Sequence, residues 1–113
     1  MPPRSSVPVL GEFELLVMLA VMQLGDEAYP LAVADRIEER TGRKASRPSV
    51  QITLERLEEK GLLTSRYSDP TPVRGGRSKR FFSPKPLAAQ AVQATLERIN
   101  AMTAGVPASV KLR

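Results

Sequence analysis

The order of apolar and polar residues predicts four helices and one pair of strands. Apolar side chains recur at helical spacing in four stretches, and the period changes after Gly61. The helices are expected at Gly11–Leu24, Tyr29–Arg40, Ser46–Lys60 and Leu87–Met102, and the strands at Leu62–Tyr67 and Arg77–Ser83. Pro84 and Pro86 break the second strand and set the start of the last helix. The predicted fold class is therefore mainly α with a small β-hairpin.

The predicted helix Ser46–Lys60 has one apolar face and one polar, basic face. Ser46 is a candidate N-cap, and Pro48 falls in the first turn, where its missing N–H costs no hydrogen bond. The apolar face consists of Val50, Leu54 and Leu57, and the opposite face of Ser49, Gln51, Ile52 and Glu55, with Arg47 and Arg56 at the flanks. Surface Ile fits a thymine methyl and Gln fits an adenine edge, so this helix is a candidate to lie in a DNA groove. An ordinary amphipathic surface helix is the alternative.

Two neighbouring features also indicate nucleic-acid binding. The short turn Thr41–Lys44 joins this helix to the preceding one, which gives a helix-turn-helix pattern. The two predicted strands form a hairpin with a long tip, where the cations Arg74, Arg77, Lys79 and Arg80 accompany Gly75 and Gly76. Cations in this position favour a wing that grips phosphate, and a solvated hairpin loop is the alternative.

Positive charge is concentrated in the same part of the chain. The formal net charge is +5, and Arg43 to Arg80 holds ten Lys/Arg and four Asp/Glu, a local charge of +6. The other residues include seven Lys/Arg and eight Asp/Glu, a charge of −1. Clustered cations gain free energy by releasing counterions from phosphates. The segregation therefore favours contact with a polyanion over a basic face kept for solubility.

The composition argues against an enzyme. The chain has no cysteine and no histidine, which removes disulfides, thiolate nucleophiles, imidazole bases and soft-metal sites together. We therefore expect no catalytic residue, no metal and no cofactor. No stretch approaches eighteen consecutive apolar residues, and Met1–Leu10 lacks the apolar run of a signal peptide. The expected location is cytoplasmic, without a membrane partner.

The first and last predicted helices carry more apolar surface than a small domain can cover, which predicts a homodimer. The expected interface residues are Leu15, Leu19, Met22, Val92, Leu96, Ile99 and Met102. The alternative is a last helix that folds back on its own core. A dimer of this kind can also leave a pocket for a small apolar effector, lined by Met18, Met22, Val92, Leu96 and Met102. A closed core without a ligand is the alternative there.

The chain divides into four parts on this pattern. A flexible leader is expected at residues 1–9, a winged helix-turn-helix DNA-binding domain at 10–83, a C-terminal dimerisation helix at 84–104 and a flexible tail at 105–113. The whole is one small domain with a helical arm.

Three blocks of the sequence resemble the PadR family of transcriptional regulators. They are LGEFELLVMLAVMQLGDEAYP, IEERTGRKASRPSVQITLERLEEKGLL and PTPVRGGRSKRFF. The short segment after the wing resembles the subfamily with a single C-terminal helix. The resemblance implies a dimeric winged-helix repressor in which the first and last helices exchange between subunits. The resemblance also implies that the helix from Ser46 enters the major groove and that the wing around Gly75 and Gly76 follows the DNA backbone. Some members of the family release DNA on binding an aromatic or drug-like compound.

Two departures from the family pattern affect the site. The pattern V-Y-x-x-L reads Val50-Gln51-Ile52-Thr53-Leu54 here, so Gln51 stands where members usually carry a Tyr that contacts the DNA backbone. Gln can bond either a phosphate or a base edge. The chain has no tryptophan, so the ring that some short members stack on ligands is missing.

The expected function is a sequence-specific regulator that binds double-stranded DNA as an inverted repeat. The candidate DNA-binding residues are Arg43, Lys44, Ser46, Arg47, Ser49, Gln51, Ile52, Arg56, Arg74, Gly75, Gly76, Arg77, Lys79 and Arg80. The competing function is a winged-helix interaction module or a DNA-binding protein that does not read sequence. Glu58 and Glu59, at the end of the third helix, mildly favour a protein partner.

Overall fold

Four α-helices and one antiparallel β-hairpin form the part of the chain that the computed structural model describes, residues 7–68 and 78–112. The elements are α1 (Glu12–Leu24), α2 (Pro30–Thr41), α3 (Arg47–Glu59), β1 (Leu63–Tyr67), β2 (Arg80–Pro84) and α4 (Pro86–Ala104). One turn of 3-10 helix, Gly25–Glu27, follows α1. The predicted fold class is confirmed. The wing residues Arg74, Gly75, Gly76 and Arg77 lie outside the described residues.

The signals that begin and end α3 act as the sequence predicts. The Ser46 hydroxyl accepts a hydrogen bond from the Ser49 N–H at 3.2 Å, and Pro48 occupies the first turn. Gly61 follows the helix with a φ of 79°, a conformation that other residues adopt only with strain. These signals fix where α3 begins and ends. The rotation of the helix about its axis is set by the residues between them.

The hydrophobic core is built around α1. Val17, Met18 and Val21 have no exposed surface, and α1 contacts α2, α3, α4 and β2. Within its own chain, α1 is therefore the central helix. Leu15 is also buried in the core of its own chain, so neither Leu15 nor Met18 offers the free surface expected of an interface or pocket residue.

The hairpin is anchored to the helices at its base. β1 and β2 pair antiparallel, with Leu63 opposite Pro84 and Tyr67 opposite Arg80. The Phe82 N–H donates to the Ala28 carbonyl at 2.8 Å, which ties β2 to the segment before α2. Phe82 is the phenylalanine of β2 that points inward, since its side chain has no exposed surface. The hairpin therefore has a fixed position relative to α2.

The two halves of α4 have different surroundings. Ala88, Ala91 and Val92 are buried against the core of the same chain, so Val92, predicted as an interface residue, is covered within one chain. From Leu96 onward every residue of the helix is exposed. The first half folds back because alanines allow close approach to α1. Val7, within the predicted leader, is partly buried against the core.

An ion pair between α1 and the end of α3 fixes the two helices to each other. Glu14 Oε2 lies 2.7 Å from Lys60 Nζ, and its Oε1 accepts the Gly11 N–H at 3.0 Å. Burial alone would raise the pKa of the Glu14 carboxyl. The hydrogen bonds from Lys60 and Gly11, with the positive charges of Lys60 and Arg56, outweigh this and hold the pKa of Glu14 below its ordinary value.

This pair predicts a specific acid sensitivity. A carboxyl with a lowered pKa in the folded state contributes stability above its unfolded pKa, and this is lost as the pH falls through the folded value. Glu14→Gln should therefore lower the free energy of unfolding at neutral pH by about 1 kcal/mol, and its unfolding should depend less on pH in the acid range. Urea titrations at a series of pH values measure both effects.

The matched control is Glu12→Gln. Glu12 also pairs with an arginine at 2.7 Å, but its side chain is 80% exposed, so solvent screens the pair. This variant should unfold like the wild type. An acid dependence unchanged in Glu14→Gln would contradict the role of the Glu14–Lys60 pair.

Candidate nucleic-acid interface

The outward face of α3 presents cations around one exposed isoleucine. Val50, Leu54 and Leu57 are completely buried, and this burial turns the opposite side of the helix to solvent. Ile52 is 52% exposed in the N-terminal half, with Arg56 exposed four residues along the helix and Arg47 exposed in its first turn. Neither arginine forms an ion pair with another residue in 7–68 or 78–112. The predicted face is thus present with its two cations available.

Some of the residues predicted to contact DNA around the start of α3 already contact other residues of the protein. Arg43 pairs with Glu12 at 2.7 Å and lies 4.9 Å from the centre of the Phe13 ring, which ties the turn to α1. The hydroxyls of Ser46 and Ser49 are hydrogen-bonded to each other at 2.8 Å. Lys44 is exposed. Of these four residues, Lys44 and Arg43 are exposed cations, and the two serines chiefly shape the start of the helix.

Aromatic rings hold the cations at the base of the hairpin. Lys79 Nζ lies 4.2 Å from the centre of the Tyr29 ring, and Arg66 lies 4.8 Å from that of Phe81. Both side chains remain exposed. Cation–π contact restricts these side chains without removing their charge, so they stay available to an anion.

Arg80 is placed differently from Lys79, the other predicted wing cation among the described residues. Its Nη1 lies 3.0 Å from Glu55 Oε2, its Nη2 lies 2.6 Å from Glu58 Oε1, and its Nε donates to the Ser65 hydroxyl at 3.1 Å. The side chain is only 22% exposed. The guanidinium of Arg80 is therefore engaged within the protein, and its contact with phosphate stays a prediction. The charge of Glu58, which the sequence analysis counted in favour of a protein partner, is compensated by Arg80.

Gln51 is connected to the same cluster. Its Nε2 donates to Glu55 Oε2 at 3.2 Å, and its side chain is partly buried. A carboxylate only accepts hydrogen bonds, so the amide nitrogen must face Glu55. The sequence analysis placed Gln51 on the outer face but missed this partner, although Glu55 follows four residues later, a spacing that brings two side chains together on a helix.

A cleft lies between α3 and the base of the hairpin. Its volume is about 460 Å³, and it is lined by Tyr29, Pro30, Arg47, Gln51, Tyr67, Ser78, Lys79 and Arg80. Both tyrosines of the chain line it, and neither was predicted as a site residue. Cations and hydroxyls around an open cleft are suited to an anionic group such as a backbone phosphate. In the described part of the chain, no group of three acidic residues could hold a metal ion, and no helix is long and apolar enough to cross a membrane.

The predicted interface and effector residues separate into three groups. Leu15, Met18 and Val92 belong to the core, as described above. Leu19 and Met22 are half-buried on α1, whereas Leu96, Ile99 and Met102 are 38%, 48% and 77% exposed on α4. A shallow apolar groove of about 120 Å³ lies between α1 and α2, lined in part by Leu16, Leu19, Ala20 and Ile37. One chain thus has both an exposed apolar ridge and an apolar groove.

The fold is shared with solved transcription regulators. A PadR family transcription regulator from hypervirulent Clostridium difficile R20291 aligns with a TM-score of 0.67 at 20% identity, over 83% of this chain and 93% of that chain. A PadR family transcriptional regulator from Eggerthella lenta DSM 2243 aligns with a TM-score of 0.66 at 21% identity, over 83% of this chain and 81% of that chain. The ORC1 protein of Aeropyrum pernix, in complex with DNA, aligns with a TM-score of 0.64 at 22% identity, over 86% of this chain and 26% of that chain.

The likeness is shown by the comparison of structures. No protein-family model matches the chain, and no curated protein matches it. The structural alignments show that the chain has a PadR-like winged-helix fold, as the three sequence blocks predicted.

Proposed function

We propose that this chain is a DNA-binding transcription regulator that binds an inverted-repeat operator as a homodimer. The observation that carries the proposal is the outward face of α3, where Arg47, Ile52 and Arg56 are exposed beside the basic cleft. PadR family regulators share the fold, and a further protein with it is in complex with DNA, which supports the same role here. Following the family resemblance, we propose that regulation is by repression.

In this proposal α3 enters the major groove. Its 13 residues span about 20 Å, and a major groove about 12 Å wide admits a helix. Gln51 and Ile52 lie in the N-terminal half, the part of a recognition helix that contacts base edges. Gln51 would bond an adenine edge and Ile52 would contact a thymine methyl, so A·T pairs are expected where they reach. Arg47 would take a guanine or a phosphate.

The cleft and the hairpin would hold the DNA backbone. Lys79, Tyr29 and Tyr67 line a space next to Arg47 in which a phosphate fits. Lys44 and Arg56 extend the basic surface on either side. Arg74 and Arg77, with Gly75 and Gly76, keep the backbone role that the sequence predicts for the wing tip. Phosphate contacts of this kind fix the register of a protein on DNA without reading bases.

The exposed half of α4 supports the dimer. All nine residues from Leu96 to Ala104 are exposed, and helices of this length gain most of their stability from packing an apolar face. Leu96, Ile99 and Met102 recur at helical spacing on this half. We propose that this ridge packs on a second copy of the chain, against the groove between α1 and α2. A symmetric pair would then carry two α3 helices about one DNA turn apart.

An effector site would be formed only by the dimer. Met18 and Val92 are used by the core, which leaves Met22, Leu96 and Met102 from the predicted set to line a space between subunits. A small apolar or aromatic compound bound there would change the spacing of the two α3 helices and release DNA. A closed interface without a ligand is the competing arrangement.

Negative charges introduced at Leu96 and Ile99 test whether the exposed ridge of α4 forms the dimer interface. Leu96→Glu with Ile99→Glu should reduce the mass in solution from twice 12.4 kDa to the single-chain value, because two buried carboxylates cost more than the interface gains. Light scattering measures the mass. Glu97→Lys, a change at an exposed position on the opposite side of the same helix, is the control and should remain dimeric.

The dimer assignment has a second test if the double variant is insoluble. Met102→Lys lies at the most exposed end of the ridge, 77% accessible, and should leave the single-chain fold intact. It should weaken dimerisation at least tenfold. A dimer of unchanged strength in either ridge variant would contradict this interface.

Sequence reading separates a regulator from the competing function, a non-specific DNA-binding protein or protein-interaction module. Selection from random duplexes should yield an inverted repeat that the wild type binds ~10³-fold more tightly than random duplex at fixed salt. Arg56→Ala should lower affinity for both duplexes alike, since a phosphate contact carries no sequence information. Equal affinity of the wild type for selected and random duplexes would overturn the specific regulator.

A further inference from the structure

A chain of polar contacts runs from the base of the hairpin to the proposed base-reading residue. Arg80 on β2 binds Glu55 and Glu58 on α3, and Glu55 in turn accepts the amide of Gln51. Ser65 on β1 completes the cluster by accepting from Arg80 Nε and donating to Glu58. All five residues lie within the described parts of the chain. We refer to Arg80, Glu55 and Gln51 as the relay.

We infer that the relay determines base specificity: Arg80 and Glu55 are positioning residues that fix the orientation of the Gln51 amide and the angle between the hairpin and α3. This inference rests on the proposed function and names residues that act in readout without contacting a base themselves. Its first support is geometric, because Glu55 Oε2 receives both the Gln51 amide at 3.2 Å and the Arg80 guanidinium at 3.0 Å.

The orientation of Gln51 matters because its side chain offers one donor group and one acceptor. Adenine presents an acceptor and a donor in the major groove, so a reversed amide would face it with two mismatches. The terminal torsion of Gln is broad and roughly two-fold, which means that the side chain alone does not select an orientation. Glu55 selects one, since it binds only the nitrogen end. One Nε2 hydrogen and the Oε1 atom remain available for the base.

Glu55 needs Arg80 in order to serve this purpose. Its side chain is 45% exposed on the face that would approach DNA, where an unpaired carboxylate would repel phosphates. Arg80 pairs with this charge and holds the carboxylate in place through a planar, forked group. The rings of Phe82 and Tyr67 lie 4.9 and 5.6 Å from the Arg80 guanidinium carbon and restrict its movement. The relay is therefore rigid as well as charge-compensated.

The same contacts fix the hairpin relative to the recognition helix. Arg80 is the first residue of β2 and pairs with Tyr67 in the strand register, so it stands where the hairpin leaves the domain. Arg80 binds α3 at Glu55 and Glu58, three residues apart, and two contacts oppose both rotation and tilt of the hairpin. A wing held at this angle brings Lys79 toward the backbone while Gln51 faces the groove.

Glu55→Gln is the decisive variant. It keeps the size of the side chain but removes the charge and the exclusive preference for the nitrogen of Gln51. Site selection should show about a tenfold loss of discrimination at one base pair in each half-site, the pair that Gln51→Ala also relaxes. Preference at the other positions, and the slope of affinity against salt, should stay as in the wild type because no phosphate contact is removed. Arg80→Lys should relax the same base pair, since a single ammonium cannot hold two carboxylates in fixed geometry.

Glu59→Gln is the matched control. Glu59 lies on the same helix and undergoes the same change of charge, but it is exposed and forms no ion pair among residues 7–68 and 78–112. Its selected sites should match those of the wild type. If Glu55→Gln changes affinity for all duplexes by the same factor as Glu59→Gln, with base preference intact, the relay has no role in readout. A lower melting temperature with unchanged preference would likewise reduce the cluster to a structural contact and overturn the inference.

A measurement on the free protein separates this inference from the proposed function. In a ¹⁵N–¹H spectrum the side-chain amide of Gln51 should show one hydrogen-bonded proton that shifts in Glu55→Gln and Arg80→Lys and not in Glu59→Gln. An unshifted Gln51 amide in both relay variants would overturn the relay whatever the protein binds. A wild type that shows the amide shift but no sequence preference would instead overturn base reading, and with it the specificity role.

Discussion

The burial of one side of α3 against the core is the constraint on which the proposed interface depends. Val50, Leu54 and Leu57 have no exposed surface, and each contributes roughly 1.5–3 kcal/mol by leaving water. A rotation of one residue about the helix axis would expose these side chains and bury Ile52 or Gln51. The outward face is therefore fixed by the apolar face, and Ser46 and Gly61 only decide where the helix begins and ends.

The burial of apolar side chains also explains why α1 lies at the centre of the fold. A helix that presents apolar residues around most of its circumference can satisfy them by packing against α2, α3, α4 and β2 at once. The ion pair between Glu14 and Lys60 then joins α1 to the end of α3. Support from the opposite side comes from Arg80, so that α3 is held between the core and the hairpin.

Contacts close in sequence could be predicted, and contacts between distant residues could not. The period of apolar residues gave the four helices and the hairpin, and the N-cap at Ser46 follows from a pattern of four residues. Arg80 was expected to be free because its partners Glu55 and Glu58 lie 25 and 22 residues away, and charge counting treats all cations of the hairpin alike. Met18 and Val92 were misplaced for a related reason: periodicity shows that a residue is apolar, but not whether its own chain or a second one covers it.

The most direct measurement on the proposed mode of binding is a scan of the selected duplex with 7-deazapurines. This substitution removes only the N7 acceptor of a purine, which lies in the major groove. If α3 reads the major groove, affinity should fall about tenfold at purines in two clusters, one in each half-site, with centres ~10 bp apart. Purines between the clusters should show no effect. A duplex that binds equally well with every purine replaced would contradict the placement of α3 in the major groove.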